Sequence, residues 1–132
     1  MAFIPYSYDD GQPRPWEYIP CDDIAVSVGM ALYQDTGLLK KATGATKPAY
    51  ISMINKTVAA EGDLIPVIRV DHGIVFETSN SASFSGAKVG TKVTLHTDAL
   101  QVTATTTSGV AEIIDFDDVA AAGTGGTVHV RF

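Results

Sequence analysis

The feature that most constrains this chain is a series of short segments in which apolar and polar residues alternate. Residues 24–28, 92–97 and 127–132 are clear examples. Alternation with a period of two is typical of a half-buried β-strand, because successive side chains of a strand point to opposite faces. No window shows a convincing helical period. The sequence therefore predicts an all-β fold.

Turn residues divide the chain into short segments at a spacing of roughly 8–12 residues, which is typical of a β-sandwich or a small β-barrel. The predicted strands are 24–28, 30–33, 38–42, 49–54, 64–70, 74–78, 92–97, 100–105, 110–116 and 127–132. Pro66 interrupts one of them. Because proline lacks the N–H that a ladder hydrogen bond needs, we expect this strand at a sheet edge or in a bulge. Any helix is expected to be short, near residues 55–60 or 119–122.

The N-terminal segment differs from the rest of the chain. It holds four of the six prolines and five aromatic side chains, Phe3, Tyr6, Tyr8, Trp16 and Tyr18. Proline at this density blocks helix formation and removes donors from a central strand. We therefore predict an extended arm over residues 1–23, kinked near Gly11, and one β-domain over residues 24–132. A frayed terminus is the alternative, but an aromatic-rich arm usually lies on a surface of its own protein or of a partner.

Composition narrows the function classes. With 132 residues, 45% hydrophobic and 18% charged, the chain can form one ordinary core and is not disordered. A formal net charge of −6 argues against a generic nucleic-acid binder and against a polybasic membrane-surface protein. No segment reaches the ~20 apolar residues that span a bilayer, and we expect no signal peptide. Cys21 is the single cysteine, which excludes an intrachain disulfide and a Cys-based zinc site.

The sequence shows no constellation of catalytic residues. We expect His96 and His129 on solvated strand faces and His72 in a turn. The nucleophile-elbow motif of hydrolases is absent, and the glycine-rich segment 86–92 precedes a strand rather than the helix of a phosphate loop. The acidic segment 115–118 departs from the calcium-loop pattern, so a solvated turn is favoured over a surface calcium ion. We therefore predict a protein that is not an enzyme and has no catalytic residue, metal or cofactor.

Three stretches resemble a known family. They are residues 39–52 (LKKATGATKPAYIS), residues 61–70 (EGDLIPVIRV) and residues 89–113, which begin VGTKVTLH and end GVAEI. Together they resemble the small capsid decoration, or cement, proteins of tailed bacteriophages and of prophages in Gram-positive bacteria. The resemblance spans roughly residues 24–132.

This resemblance implies a small β-barrel or β-sandwich, of β-tulip-like form, that binds the outside of an expanded phage head and clamps neighbouring capsid subunits. The implied partners are the major capsid protein and further copies of the chain in a homotrimer, with neither nucleic acid nor membrane. The implied location is the capsid exterior of the virion, after assembly in the host bacterial cytoplasm, where no disulfide is needed. We expect the interface to use apolar side chains of the arm: Phe3, Ile4, Tyr6, Tyr8, Trp16 and Tyr18.

Other classes stay open. A carbohydrate- or host-surface-binding β module predicts an exposed aromatic platform. Another virion structural protein, of the head closure or the tail, would use the same kind of fold, because function resides in surfaces grafted onto folds. A hydrolase on a β scaffold predicts a deep pocket with converging titratable groups, which the scattered histidines and aspartates disfavour.

Overall fold

A computed structural model describes residues 2–81, 88–117 and 126–132 of the chain. These residues form twelve β-strands and no helix, which confirms the predicted all-β class. In chain order the strands are β1 (Ile4–Tyr8), β2 (Trp16–Cys21), β3 (Ala25–Val26), β4 (Ala31–Asp35), β5 (Leu38–Lys41), β6 (Tyr50–Ser52), β7 (Lys56–Thr57), β8 (Asp63–Arg69), β9 (Ile74–Ser79), β10 (Lys92–Val93), β11 (Ala111–Phe116) and β12 (Thr127–Arg131).

Ten of these strands form two larger units. Strands β1, β9, β12, β11 and β10 pair in that order into an antiparallel sheet, which we call the open sheet. Strands β2, β5, β4, β6 and β8 close on one another into a ring, which we call the barrel. Its β2–β5 contact is parallel and its other contacts are antiparallel. Strands β3 and β7 form a separate ladder.

The N-terminal segment is divided between the two units. β1 pairs with β9 at the edge of the open sheet, and β2 pairs with β8 along its full length in the barrel. The connection between them is held by Arg14. Its Nε donates to Asp71 Oδ2 at 2.6 Å, and its Nη1 donates to Asp10 Oδ1 at 3.0 Å. The residues predicted as an arm thus contribute one strand to each unit.

Phe3, directly before β1, is fully buried in a core cluster that includes side chains of both units. Its ring lies edge-on to the ring of Phe132, with 5.3 Å between centroids. Its backbone N–H donates to Gly29 O at 2.9 Å. Gly29 has a φ of +80°, and a Cβ there would lie 2.3 Å from the Cβ of Ala2. Glycine is therefore required at position 29, because the N-terminal segment passes directly against it.

The expectation that Pro66 marks a sheet edge or a bulge is wrong, because β8 has a neighbour on each side. Pro66 O accepts a hydrogen bond from Met53 N at 3.0 Å, so the backbone of Pro66 faces the β6 side. Strand β6 ends at Ser52. In a strand, the N–H and C=O of one residue point to the same side, so the missing N–H of Pro66 would also face β6. The β6–β8 ladder has ended there, so no hydrogen bond is lost.

The predicted strand over residues 100–105 is also wrong. Val102 makes isolated bridges, but the segment joins neither larger unit as a strand. Part of the first helical candidate, residues 55–60, forms the short strand β7. The second candidate, residues 119–122, lies outside the described residues.

Candidate binding surface

One face of the β2–β8 ladder carries three large apolar side chains that remain exposed. Tyr18 lies opposite Pro66, and Pro20 lies opposite Leu64. Opposed residues share one face of a ladder, and Trp16 shares it because it is two residues from Tyr18. The exposed fraction is 57% for Trp16, 61% for Tyr18 and 56% for Leu64. We call these three residues the aromatic strip.

The alternation of β2 produces this strip. Trp16 and Tyr18 point to one face of the strand, while Glu17 and the fully buried Cys21 point to the other. Glu17 receives hydrogen bonds from Arg69 Nη2 at 2.8 Å and from Arg69 Nε at 3.1 Å. These bonds hold the pKa of Glu17 below its ordinary value. They also fasten β2 to β8 next to Trp16, so the strip is carried on a fixed backbone.

Two further exposed side chains, Ile4 and Tyr6, lie on β1. The ladder between β1 and β9 skips one residue between Pro5 and Ser7, so Tyr6 is the extra residue of a bulge. The Tyr6 ring stacks on His129, with 3.9 Å between ring centroids and an interplanar angle of 26°. One face of Tyr6 is therefore covered within the chain.

His129 occupies the centre of a charged row on the open sheet. It lies directly opposite Glu77 of β9 and Asp115 of β11. Its Nε2 is 2.9 Å from Glu77 Oε2, and its Nδ1 contacts Asp115 Oδ1. Both nitrogens can donate at once only when the ring is protonated. Burial lowers the pKa of His129, but the hydrogen bonds to Glu77 and Asp115 outweigh it, and the pKa is raised overall.

This His129 row (Glu77, His129 and Asp115) can hold a proton and join three strands. With both nitrogens engaged, the imidazolium has no lone pair for a metal ion or a substrate proton. The expectation that His129 is solvated is wrong, because its side chain is only 12% exposed. Sequence reasoning missed the row because Glu77 is 52 residues and Asp115 is 14 residues away from His129. Strand order, rather than spacing in sequence, brings them together.

A second charged row lies beside the first. Lys92 of β10 is opposite Glu112 of β11, which is opposite Arg131 of β12. Arg131 also donates to both carboxylate oxygens of Asp9, each at 2.8 Å. This bond lowers the pKa of Asp9. Cations and carboxylates thus alternate across this sheet face, whereas the aromatic strip is uncharged and exposed.

Of the six side chains predicted as partner contacts, four are exposed: Ile4, Tyr6, Trp16 and Tyr18. Phe3 belongs to the core, and Tyr8 is partly buried with the Arg14 guanidinium 5.4 Å from its ring centroid. Sequence reasoning did not single out Leu64. A lone leucine in a strand carries no signal of exposure, and Leu64 joins the strip only through its register with β2.

Three further features of residues 2–81, 88–117 and 126–132 bear on other kinds of site. In these ranges no group of three or more His, Cys, Asp and Glu side chains is placed to hold a metal ion. They also contain no helix long and apolar enough to cross a membrane. Cys21 is fully buried, and burial raises the pKa of its thiol, so the nucleophilic thiolate is disfavoured.

No protein-family model, curated protein or solved structure matches this chain.

Proposed function

We propose that this protein is a capsid decoration protein of a tailed bacteriophage. It binds the exterior of the expanded head as a homotrimer and clamps neighbouring copies of the major capsid protein. It is assembled onto the virion in the host bacterial cytoplasm and performs no catalysis. The observation that supports this proposal is the aromatic strip, which remains exposed on a ladder within a closed ring of strands.

The composition of the strip suits a protein interface. Tryptophan and tyrosine are enriched among the residues that dominate binding energy, because they combine a large apolar area with a polar group that can bond at the rim. Trp16 and Tyr18 lie on a strand that is paired along its full length with β8. Little backbone freedom is therefore lost on binding, which lowers the entropic cost of association. A trimer would present three strips and multiply modest contacts through effective concentration.

The direct test uses expanded heads that lack decoration protein. Wild-type protein and a Trp16→Ser/Tyr18→Ser variant are mixed with the heads, and bound copies are counted after pelleting. We expect saturable binding of the wild type and an affinity loss of at least about 30-fold in the variant, as for removal of interface hot spots. The matched control is Val89→Ser, which removes a side chain that is 66% exposed outside the strip. Circular dichroism verifies that all three proteins are folded.

Failure of the folded wild type to bind heads contradicts the decoration role. Wild-type affinity in the Trp16→Ser/Tyr18→Ser variant instead removes the strip as the contact surface. The number of copies bound at saturation, with the native mass of the free protein, tests the homotrimer. Deletion of residues 1–20 is unsuitable, because it removes nearly all of β2 and opens the barrel.

A second candidate function is carbohydrate binding. Trp16 and Tyr18 form an aromatic platform on one strand face, and flat aromatic rings offer a stacking surface for sugar rings. A glycan screen with the wild type and the Trp16→Ser/Tyr18→Ser variant distinguishes the two functions. Glycan affinity that depends on these rings, together with no affinity for heads, would favour this candidate over decoration.

A further inference from the structure

A pocket of about 200 Å³ opens where the second charged row meets the loop before β6. Its lining includes Lys47, Lys92 and Arg131, and one acidic side chain, Glu112. These cations come from three separate segments of the chain, since Lys47 precedes β6, Lys92 lies in β10 and Arg131 lies in β12. The whole chain has only nine lysines and arginines and a net charge of −6. A third of its cations therefore surround one opening in an acidic protein.

Two of the cations around this pocket, Lys47 and Lys92, are not engaged in ion pairs with any residue that the structure describes. Glu112 faces Lys92 and Arg131 across the ladders, and Asp9 binds the guanidinium of Arg131. Lys47 and Lys92 form no ion pair within 4 Å among the described residues. Arg131 is the one lining cation that is engaged in an ion pair among the described residues, so Lys47 and Lys92 are available to an incoming anion.

Arg131 is held in place with donors to spare. Its Nη1 donates to Asp9 Oδ2 at 2.8 Å and to His72 O at 2.6 Å, and its Nη2 donates to Asp9 Oδ1 at 2.8 Å. A guanidinium carries five N–H donors. The Nε–H and the second Nη2–H have no partner within the described part of the chain. These two hydrogens lie side by side, which is the geometry that binds both oxygens of a carboxylate.

The pocket wall is fixed by close backbone packing. Gly109 lines the pocket, and a Cβ on it would lie only 2.2 Å from Lys92 O. The turn that contains Gly109 is thus pressed against β10, and Val110 N donates to Val93 O at 2.9 Å. A pocket with such a wall needs little rearrangement to bind a small group.

We propose that this pocket binds one carboxylate group between Lys47, Lys92 and the free edge of Arg131. The volume suits a single small acidic group and is below the roughly 300–1,000 Å³ of sites for drug-sized ligands. The carboxylate comes either from a free small acid or from an aspartate or glutamate side chain of a protein partner. This inference goes beyond the proposed function and does not depend on it, because it concerns a different face of the molecule from the aromatic strip.

The test is a titration of the isotope-labelled full chain with sodium acetate at constant ionic strength. The chemical shifts of the backbone amides are measured by NMR at each step. We expect saturable shifts confined to the surroundings of Lys47, Lys92, Gly109 and Arg131, with a dissociation constant on the order of 1–10 mM for so small a ligand. Amide shift changes caused by sodium chloride at the same ionic strength should not saturate. A second titration uses a short peptide with one glutamate, blocked at both ends. Tighter binding of this peptide identifies a protein side chain as the natural ligand, and equal binding identifies a free acid.

Matched charge variants complete the test. Lys47→Gln/Lys92→Gln should weaken acetate binding by at least about 10-fold, because each lysine supplies a charge-assisted hydrogen bond. Lys41→Gln/Lys56→Gln removes the same charge from two exposed lysines outside the pocket and should bind as the wild type does. Shifts that fail to saturate, that chloride reproduces, or that persist unchanged in Lys47→Gln/Lys92→Gln overturn the proposal.

Discussion

The barrel and the open sheet are built from the same alternation of side chains, yet they expose different chemistry. On the barrel, the exposed positions of β2 and β8 carry Trp16, Tyr18 and Leu64. On the open sheet, the corresponding face carries two rows of alternating charge, centred on His129 and Glu112. The side chains of the His129 row bind one another across neighbouring strands, whereas the aromatic strip remains in contact with water.

This difference indicates which face gains most from a partner. Covering apolar surface is worth roughly 25 cal/mol for each Å² removed from water. Exposed ion pairs are worth only about 0–1 kcal/mol each, and a partner that covers them must first displace their water. The His129 row is therefore suited to holding strands of the open sheet together, and the barrel face is suited to binding an apolar partner surface. The predictions below test how far the two units behave separately.

Replacement of Phe3 should have the largest effect, because this residue belongs to the core that the two units share. Phe3→Ala removes a fully buried ring and should lower the free energy of unfolding by roughly 3–5 kcal/mol. Denaturant unfolding measures this free energy. The transition is followed by tryptophan fluorescence, which reports on Trp16 in the barrel, and by far-UV circular dichroism. The neighbouring exposed residue supplies the control, since Ile4→Ala should change stability by less than about 0.5 kcal/mol. Non-coincident transitions in the wild type would show that the units unfold separately.

Replacement of Gly29 should have the second-largest effect on stability, because it disturbs the close contact of Ala2 and Phe3 with Gly29. Gly29 and Gly37 have nearly equal φ values, +80° and +82°, but nothing lies within 4 Å of a Cβ on Gly37. Gly37→Ala should therefore cost only the backbone strain, about 1–2 kcal/mol. Gly29→Ala should cost roughly 1–3 kcal/mol more, because its Cβ also meets Ala2 and the Phe3 backbone. Equal losses in thermal or denaturant unfolding would contradict the close approach.

The smallest effect concerns the open sheet alone. Since the pKa of His129 is raised in the folded state, its stabilising effect is fully present below the unfolded value of about 6.5. It is lost as the pH rises through the folded pKa. We expect the free energy of unfolding to fall by roughly 1 kcal/mol across that rise, measured by urea titrations between about pH 6 and pH 9.

The variant His129→Gln should lose this pH dependence, because glutamine has no titrating proton. The control is His96→Gln. His96 contacts the single carboxylate of Asp98, so its replacement should leave the pH dependence that His129 causes in place. A wild-type slope in His129→Gln would show that another group is responsible.

Local pattern was enough to predict most strands within a few residues, including those near 31–35, 38–41, 74–79 and 127–131. Local pattern was not enough where the place of a segment depended on the strand packed beside it. Pro66 is tolerated inside the barrel because β6 ends beside it. The segment predicted as an arm contributes strands to both units, because β8 and β9 lie next to it in space.

The candidate surface shows the same division. The aromatic content of the first residues marked Tyr6, Trp16 and Tyr18, and all three are exposed. The same signal marked Phe3, which is buried. An aromatic side chain is equally suited to a core and to an interface, so composition alone does not separate the two roles.

The sequence by itself determined the all-β class, because a period of two sets alternate side chains on opposite faces of any strand. Only the tertiary structure decided which face is covered, which leaves Trp16, Tyr18 and Leu64 exposed and Phe3 enclosed. It also decided which charges meet, since Glu77, His129 and Asp115 become neighbours through strand order. The physical reason is that alternation is a local property of the backbone, whereas burial and pairing depend on contacts between segments far apart in the chain.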